Sequence, residues 1–326
     1  MNETRAGLDP ARFAVHRTTV RDAVELAYVR EGVGGVPLVL LHGWPETKRI
    51  WWRNVASLAD AGFEVIVPDL RGFGDSPIPT DGFYDLATMS RDVRGLLHAL
   101  GHESAVFAGG DYGGMTIQDL GHRFPEVVRR QVLLNCVAPM LEERYAEHGV
   151  GGDQFGEINA VSDHVLRHGN DADGLASELT TDRARRSYVD GFYTYRLWGH
   201  HGSFAPEHAA FMSEPFGDAE RFRASLVLYE AFMDPAKVVE PPILTEPHTI
   251  RTLILYGQSD RVVGPRFPKR MELACRDRVG PFLVEEAGHF LQYERAELFN
   301  EAVRVFCLDL LGEAAADGGT AGSAQK

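Results

Sequence analysis

A carboxylate set among glycines at the end of an apolar run is a group that can attack carbon. Asp111 lies in Val106-Phe107-Ala108-Gly109-Gly110-Asp111-Tyr112-Gly113-Gly114, where a strand-like run (Ser104 to Ala108) gives way almost at once to a helix-like one (Met115 to His122). So abrupt a change of direction needs small neighbours, and Gly109 and Gly113 stand at minus two and plus two from Asp111. The side chain at the centre of such a turn points into open space above the sheet, beside the positive end of the new helix. Asp beside glycines is also the makeup of an ordinary turn or helix cap, so the rest of the chain must decide. Three further polar signals do so: His42-Gly43-Trp44-Pro45, Asp260 after Thr252-Tyr256, and His289 in Ala287-Gly288-His289-Phe290. Each closes an apolar run, and ligand chemistry in an open parallel sheet gathers at the carboxyl ends of strands. Asp111, Asp260 and His289 come in the order nucleophile, acid, histidine.

These residue types imply a two-step displacement. A carboxylate is ionised at neutral pH without help, and its attack at an sp³ carbon displaces oxygen and leaves an alkyl ester on the protein. His289, oriented by Asp260, then takes a proton from water, and the hydroxide attacks the ester carbonyl.

The elements that hold these groups follow from the apolar pattern. Phe13–Arg17 and Val24–Arg30 alternate as an opening antiparallel pair, and Pro37–Leu41 and Glu64–Pro68 are continuous apolar runs, as in strands covered on both faces. Helices are expected over Trp51–Ala61 and Asp85–Leu100, then the strand and helix at Asp111, then a strand over Gln131–Cys136. The alternation marks a mostly parallel sheet flanked by helices, an α/β class. Residues 1–138 form its first part. From 139 to 247 the rhythm breaks into helical pieces (Ala184–Trp198, Pro206–Met212, Asp218–Phe232) rich in aromatics, an inserted helical cap. The pattern resumes over 248–312 with a helix at Phe267–Cys275, a strand at Pro281–Glu285 and a closing helix at Gln292–Leu311. The Ala/Gly-rich residues 313–326 read as a disordered tail.

Over about Val24 to Leu311 the chain resembles the α/β-hydrolases of the epoxide hydrolase branch, with HGWP, DLRGFGDS, GGDYGG, YGQSDRVV and AGHFLQYE matching family patterns in place and order. The resemblance implies an α/β-hydrolase fold with an inserted cap, Asp111 as nucleophile, His289 as base and Asp260 as its orienter. The backbone N–H groups of Trp44 and Tyr112 are the expected oxyanion donors, by resemblance and by the geometry of the turn. The Trp44-Pro45 bond is a turn X-Pro bond, which admits the cis form. Asp69, Arg71 and Asp75 are expected to fix their loop rather than to act chemically. The family opens epoxides with acids from the cap, usually two tyrosines. Tyr229 occupies the place of the second, His164 is the candidate for the other donor, and Tyr193 and Tyr195 are the fallback. Trp44, Tyr112, Tyr193 and Tyr195 are the expected substrate contacts.

The product of this reading is a vicinal diol from a hydrophobic epoxide, the cap aromatics implying an apolar pocket roof. A halide leaving group on the same scaffold is the nearest rival. Haloalkane dehalogenases carry Trp just after the nucleophile and fluoroacetate dehalogenases Arg, whereas this chain has Tyr112, and Gly110 replaces the usual histidine. A non-catalytic ligand-binding protein on the same fold is the rival from another class, and it has no need of both Asp260 and His289. An ordinary serine esterase is disfavoured because no G-x-S-x-G occurs.

Composition narrows the partners. A formal charge of −14, from 33 basic and 47 acidic residues in 326, argues against nucleic acid and anionic membrane. The expected partners are the small substrate and water, with a homodimer left open. Three widely spaced cysteines without CxxC fit reduced thiols, and the N-terminus lacks an apolar h-region, so a cytoplasmic location is expected. Neither a metal-ligand spacing nor a dinucleotide fingerprint is present, so no cofactor is expected.

Overall fold

The computed structural model describes residues 8–161 and 163–321. Eight strands form one sheet in the order β1-β2-β4-β3-β5-β6-β7-β8. β1 (Val15–Arg21) pairs antiparallel with β2 (Val24–Glu31), and β2 pairs antiparallel with β4 (Phe63–Pro68). From β4 onward every pairing is parallel, through β3 (Val36–Leu41), β5 (Ala105–Gly110), β6 (Val128–Leu134), β7 (Thr252–Gly257) and β8 (Arg278–Val284). β4, β5 and β7 are buried at every position, whereas β1 at the edge is exposed or half-buried throughout. Continuous apolar runs and a covered parallel sheet therefore coincide.

The helices α1 (Val55–Asp60), α2 (Leu86–Ala99) and α3 (Asp111–Arg123) belong to the first half of the sheet. Between β6 and β7 come α4 (Glu142–Glu147), α5 (Gln154–Val161), α6 (His164–Asn170), α7 (Ala172–Glu178), α8 (Asp182–Tyr193), α9 (Pro206–Ser213), α10 (Ala219–Ser225) and α11 (Val227–Met233), with no strand among the described residues of that stretch. α12 (Phe267–Ala274), α13 (Leu291–Glu294), α14 (Ala296–Phe306) and α15 (Leu308–Ala321) complete the chain. No helix of the described residues is long and apolar enough to cross a membrane.

Several expected helices are interrupted. The segment from Trp51 begins as a 3₁₀ turn (Lys48–Trp51) ahead of α1. The cap helix expected over Asp218–Phe232 breaks at Leu226, where the Ser225 hydroxyl donates to Phe222 O and accepts from the Trp44 indole. The closing helix is three helices, broken at Arg295 and Cys307, which leave helical φ/ψ. The tail expected to be disordered from 313 is instead helical to Ala321. Its Ala-rich start favours a helix, and Arg130 anchors the first turn by bonding Asp309 at 2.8 Å. Residues 322–326 lie outside the described residues.

The turn at Asp111 leaves no spacer between strand and helix: β5 ends at Gly110 and α3 begins at Asp111, whose φ is +46°. A non-glycine residue in this region is strained. It is held there by its N–H, which donates to Asn135 O at 3.0 Å. A Cβ on Gly113 would lie 2.5 Å from Leu41 O, so α3 can press against the end of β3 only with glycine at that position.

The DLRGFGDS loop is pinned by its own charges. Asp69 accepts the N–H groups of Lys48 and Asp75 at 2.8 and 2.7 Å and pairs with the buried Lys48 ammonium. Arg71, fully buried, bonds Asp92, Asp81 and Phe83 O. Breaking a buried pair of this kind from one side costs about 3–5 kcal/mol, so these residues fix the loop that reaches from β4 toward the cap.

Candidate active site

The ends of β5, β7 and β8 bring three sequence-distant residues together. His289 Nδ1 lies 3.1 Å from Asp260 Oδ2, and its Nε2 faces Asp111 Oδ2 at 3.4 Å without a hydrogen-bond partner among the described residues. The other Asp260 oxygen accepts the N–H groups of Val262 and Val263 at 2.7 and 3.1 Å, so this carboxylate is immobilised. Asp111 Oδ1 accepts the Trp44 N–H at 2.8 Å, and the Trp44 and Tyr112 N–H groups both act to lower the pKa of this carboxylate. Two backbone donors therefore converge on the group at the turn, the arrangement that stabilises an oxyanion on its carbonyl oxygen.

Charge is distributed accordingly. Burial works against ionising His289, but Asp260 and Asp111 outweigh it and hold its pKa well above the ordinary 6.5. Burial likewise opposes the Asp111 charge, and His289 with the two N–H donors outweighs it, holding that carboxyl below its usual value. Both shifts act in the sense of an ion pair between the His289 ring and Asp111.

A small cavity of about 30 Å³ lies over Asp111, and Tyr112, Met115, His164, Tyr229 and Phe232 line it with Asp111 itself. Tyr229 on α11 and His164 on α6 approach each other with ring centroids 5.6 Å apart. Burial, with Asp111 nearby, pushes the Tyr229 hydroxyl pKa well above 10, so this phenol stays protonated. The Tyr112 hydroxyl is committed to Tyr84 O at 2.6 Å.

Three of the expected substrate contacts are placed elsewhere. The Trp44 ring is buried among His164, His168, Phe192, Trp198 and Tyr229, with its indole N–H on Ser225, so its backbone rather than its ring serves Asp111. Tyr193 stacks on Phe290 at 4.5 Å and donates its hydroxyl to Pro45 O at 2.5 Å, outside the cavity wall. Tyr195 lies beyond the end of α8 and is 68% exposed. The Trp44-Pro45 bond is cis. His42 is bound into the loops: its Nε2 accepts the Leu70 N–H, its Nδ1 faces Gly43 O, and burial lowers its pKa.

The site includes residues with no motif to mark them. Glu46 is buried, accepts the Gly43 N–H at 2.6 Å and the Gln292 amide at 2.9 Å, and is pushed up to about 7, chiefly by burial. Asn135, at φ +38°, ties three strand ends: its carbonyl accepts the Asp111 N–H, its Oδ1 accepts the Gly257 N–H, and its Nδ2 donates to Gly288 O and His289 O. His168, one turn beyond His164, packs against Trp44 and Tyr229 and bonds the Tyr188 hydroxyl at 2.7 Å.

The family pattern described as alpha/beta hydrolase fold matches residues 36–296. A soluble epoxide hydrolase of Corynebacterium sp. (strain C12) is 34% identical over 170 residues, 51% of this chain and 55% of that one. The match thus spans about half the length of that relative. An epoxide hydrolase of Caballeronia sordidicola is 26% identical over 302 residues, 85% of this chain and 89% of that one. Among solved structures, the epoxide hydrolase CorEH without ligand superimposes with a TM-score of 0.77 at 24% identity, over 91% of this chain and 99% of that one. That likeness speaks for the fold.

Proposed function

The chain belongs to the α/β-hydrolase fold family, and we propose that within it the protein is an epoxide hydrolase, with 139–247 as its cap and Asp111 as its nucleophile. The observation that carries this reading is the carboxylate at the turn, one oxygen held by the Trp44 N–H and the other left toward His289. The named epoxide hydrolases among its relatives support it.

The chemistry balances on this chain's own groups. Asp111 Oδ2 bonds to an epoxide carbon as that carbon's ring C–O bond breaks, and the released oxygen takes the proton of the Tyr229 hydroxyl. Oδ1 becomes the ester carbonyl, already in place against the Trp44 N–H. Esterification removes the Asp111 charge, one of the two that keep His289 protonated. The imidazole pKa then falls, its proton passes through water to the Tyr229 phenolate, and the neutral ring becomes the base. His289 Nε2 takes a proton from water, hydroxide adds to Cγ, and the intermediate expels the diol oxygen. A proton shift from the new carboxyl to that oxygen restores Asp111 as carboxylate beside an imidazolium. The product is a vicinal diol.

A pH dependence follows from this switch. Formation of the ester needs Asp111 ionised, and its carboxyl is depressed, so that step is expected to stay flat across neutral pH. Breakdown of the ester needs neutral His289 and is expected to rise with pH until the ring of the ester form is fully deprotonated. Stopped-flow single turnovers between pH 6 and about 9 separate the two; a pH-independent breakdown step would contradict the assignment of His289.

The leaving group is tested by a panel of epoxides, haloalkanes and esters scored for diol, halide and acid. Diol from epoxides is expected, with little halide or acid, because the Tyr112 hydroxyl is committed to Tyr84 O and supplies no halide cradle. Tyr229→Phe is expected to slow ester formation from epoxides by about 100-fold, within the range for loss of one positioned acid. Halide release in place of diol would overturn the reading.

A further inference from the structure

Glu294, the last residue of α13, is buried among donors that belong to two different parts of the chain. Its Oε2 accepts the Gly288 N–H at 3.0 Å, and its Oε1 accepts the Phe290 N–H at 2.9 Å, so one carboxylate spans the two peptides on either side of His289. The same Oε2 also accepts the His200 N–H at 2.6 Å and the Ser203 hydroxyl at 3.0 Å, both from the cap segment between α8 and α9.

The contact between segment 198–203 and the loops of the site goes beyond this carboxylate. The His289 N–H donates to Trp198 O at 2.7 Å, and the Trp198 ring meets the His289 imidazole edge-on at 5.2 Å. His200 Nδ1 lies 2.8 Å from the hydroxyl of Ser259, the residue before Asp260. A Cβ on Gly288 would stand 2.5 Å from Trp198 O, so the two backbones touch directly.

We propose that Glu294 is a positioning residue for the base, making the seating of cap segment 198–203 and the alignment of His289 a single event. The Glu294 carboxylate accepts four hydrogen bonds here, which work against the burial that raises its pKa, and a bond to a carboxylate is stronger than one between neutral groups. Gln at this position offers one acceptor oxygen and puts an amide N–H against donors, so both the loop and the cap segment lose their shared anchor. The step that needs the imidazole aligned to within a fraction of an ångström is attack of water on the ester, whereas formation of the ester uses Asp111 and Tyr229. The proposal rests on His289 as base.

The test compares wild type with Glu294→Gln and with Ser203→Ala, which removes one cap-side donor and keeps the clamp on the base loop. With styrene oxide as probe, single turnovers followed by intact mass give the rates of ester formation and breakdown separately. Glu294→Gln is expected to slow breakdown by at least about 10-fold and to leave formation within about 3-fold; Ser203→Ala is expected to slow breakdown by about 2- to 3-fold. In parallel, the His289 ring resonances of isotope-labelled, substrate-free protein are titrated by NMR. A shifted midpoint, on the order of half a pH unit or more in Glu294→Gln, is expected. That readout needs no substrate, so it tests the positioning role even if styrene oxide is not turned over. Should Glu294→Gln fail to fold, Ser203→Ala carries both arms. Equal slowing of both steps, or a lowered melting temperature with the His289 titration unmoved, would overturn the proposal.

Discussion

His289→Gln is expected to stop the protein at the ester: incubated with an epoxide that the wild type hydrolyses, the variant gains the mass of one substrate, localised to Asp111, and keeps it. The expectation comes from the division of labour between the two faces of the site. Asp111 needs only its negative charge, an open path and an acid for the departing oxygen. Losing the imidazolium removes one of the influences that depress its carboxyl, but the Trp44 and Tyr112 N–H donors remain. Breakdown of the ester relies on His289, the imidazole whose Nε2 faces the Asp111 carboxylate. Glu46 is tied to the Gly43 N–H and the Gln292 amide and is not part of the cavity lining. Turnover should therefore fall by about 1,000-fold, within the range for a lost general base. Gln is of similar reach and neutral, so the Asp260 carboxylate keeps a hydrogen-bond donor and the loop keeps its shape. A variant that shows neither turnover nor adduct, while folded, would remove His289 and Asp111 from these roles together.

How much of this arrangement can be read from the chain depends on whether a residue acts through its local sequence or through distant partners. The α/β-hydrolase fold and the residues at the ends of β3, β5, β7 and the loop after β8 are written in short runs: an apolar stretch, then a polar group beside glycine. Asp111, Asp260 and His289 are legible for that reason. Asn135 is not, because what it binds is backbone, and a peptide N–H or carbonyl has no residue type; Glu294 stands at the end of the AGHFLQYE run, but its partners in the cap leave no mark on that run. The Asn135 side chain reaches Gly257 and Gly288, 122 and 153 positions away. Glu46 and Gln292 meet across 246 positions; Gln292 lies in the AGHFLQYE run, but nothing in either local sequence names the other as its partner.

The cap shows a second reason. Tyr193 and Tyr195 are two residues apart in one aromatic run, and composition treats them alike. α8 ends at Tyr193, with Thr194 at φ −114° and ψ −94°, so the chain turns and Tyr195 is delivered to the surface. Tyr193 faces inward but spends its hydroxyl on Pro45 O. The same holds for the helix expected over Asp218–Phe232. Its break at Leu226 puts Tyr229 on a new helix axis, and the break coincides with Ser225, which takes the Trp44 indole N–H. Propensity carries no information about that contact, since it is settled by which ring of the core meets which turn of the cap.

The test with the largest expected effect falls on Asp111 itself. Asp111→Asn is expected to lower kcat/KM by on the order of 10⁴-fold or more, because a neutral amide is a poor nucleophile toward carbon and no other carboxylate among the described residues lines the cavity wall. The substitution suits the question because the backbone there is at φ +46°, a region that Asn visits more readily than other non-glycine residues. Fold and melting temperature should therefore be nearly retained, and the loss is chemical. The complementary experiment uses wild type in heavy-oxygen water, with protein in excess over epoxide so that each site turns over once. Asp111 Oδ2 departs with the diol and water oxygen replaces it on Cγ, so the first diol is expected to be unlabelled and the peptide containing Asp111 to gain one heavy atom. Direct attack of water on the epoxide, with Asp111 serving only as a base, predicts the opposite distribution: labelled diol from the first turnover and an unlabelled protein. The two mechanisms use the same residues at the same distances, and they part only in which oxygen leaves with the product.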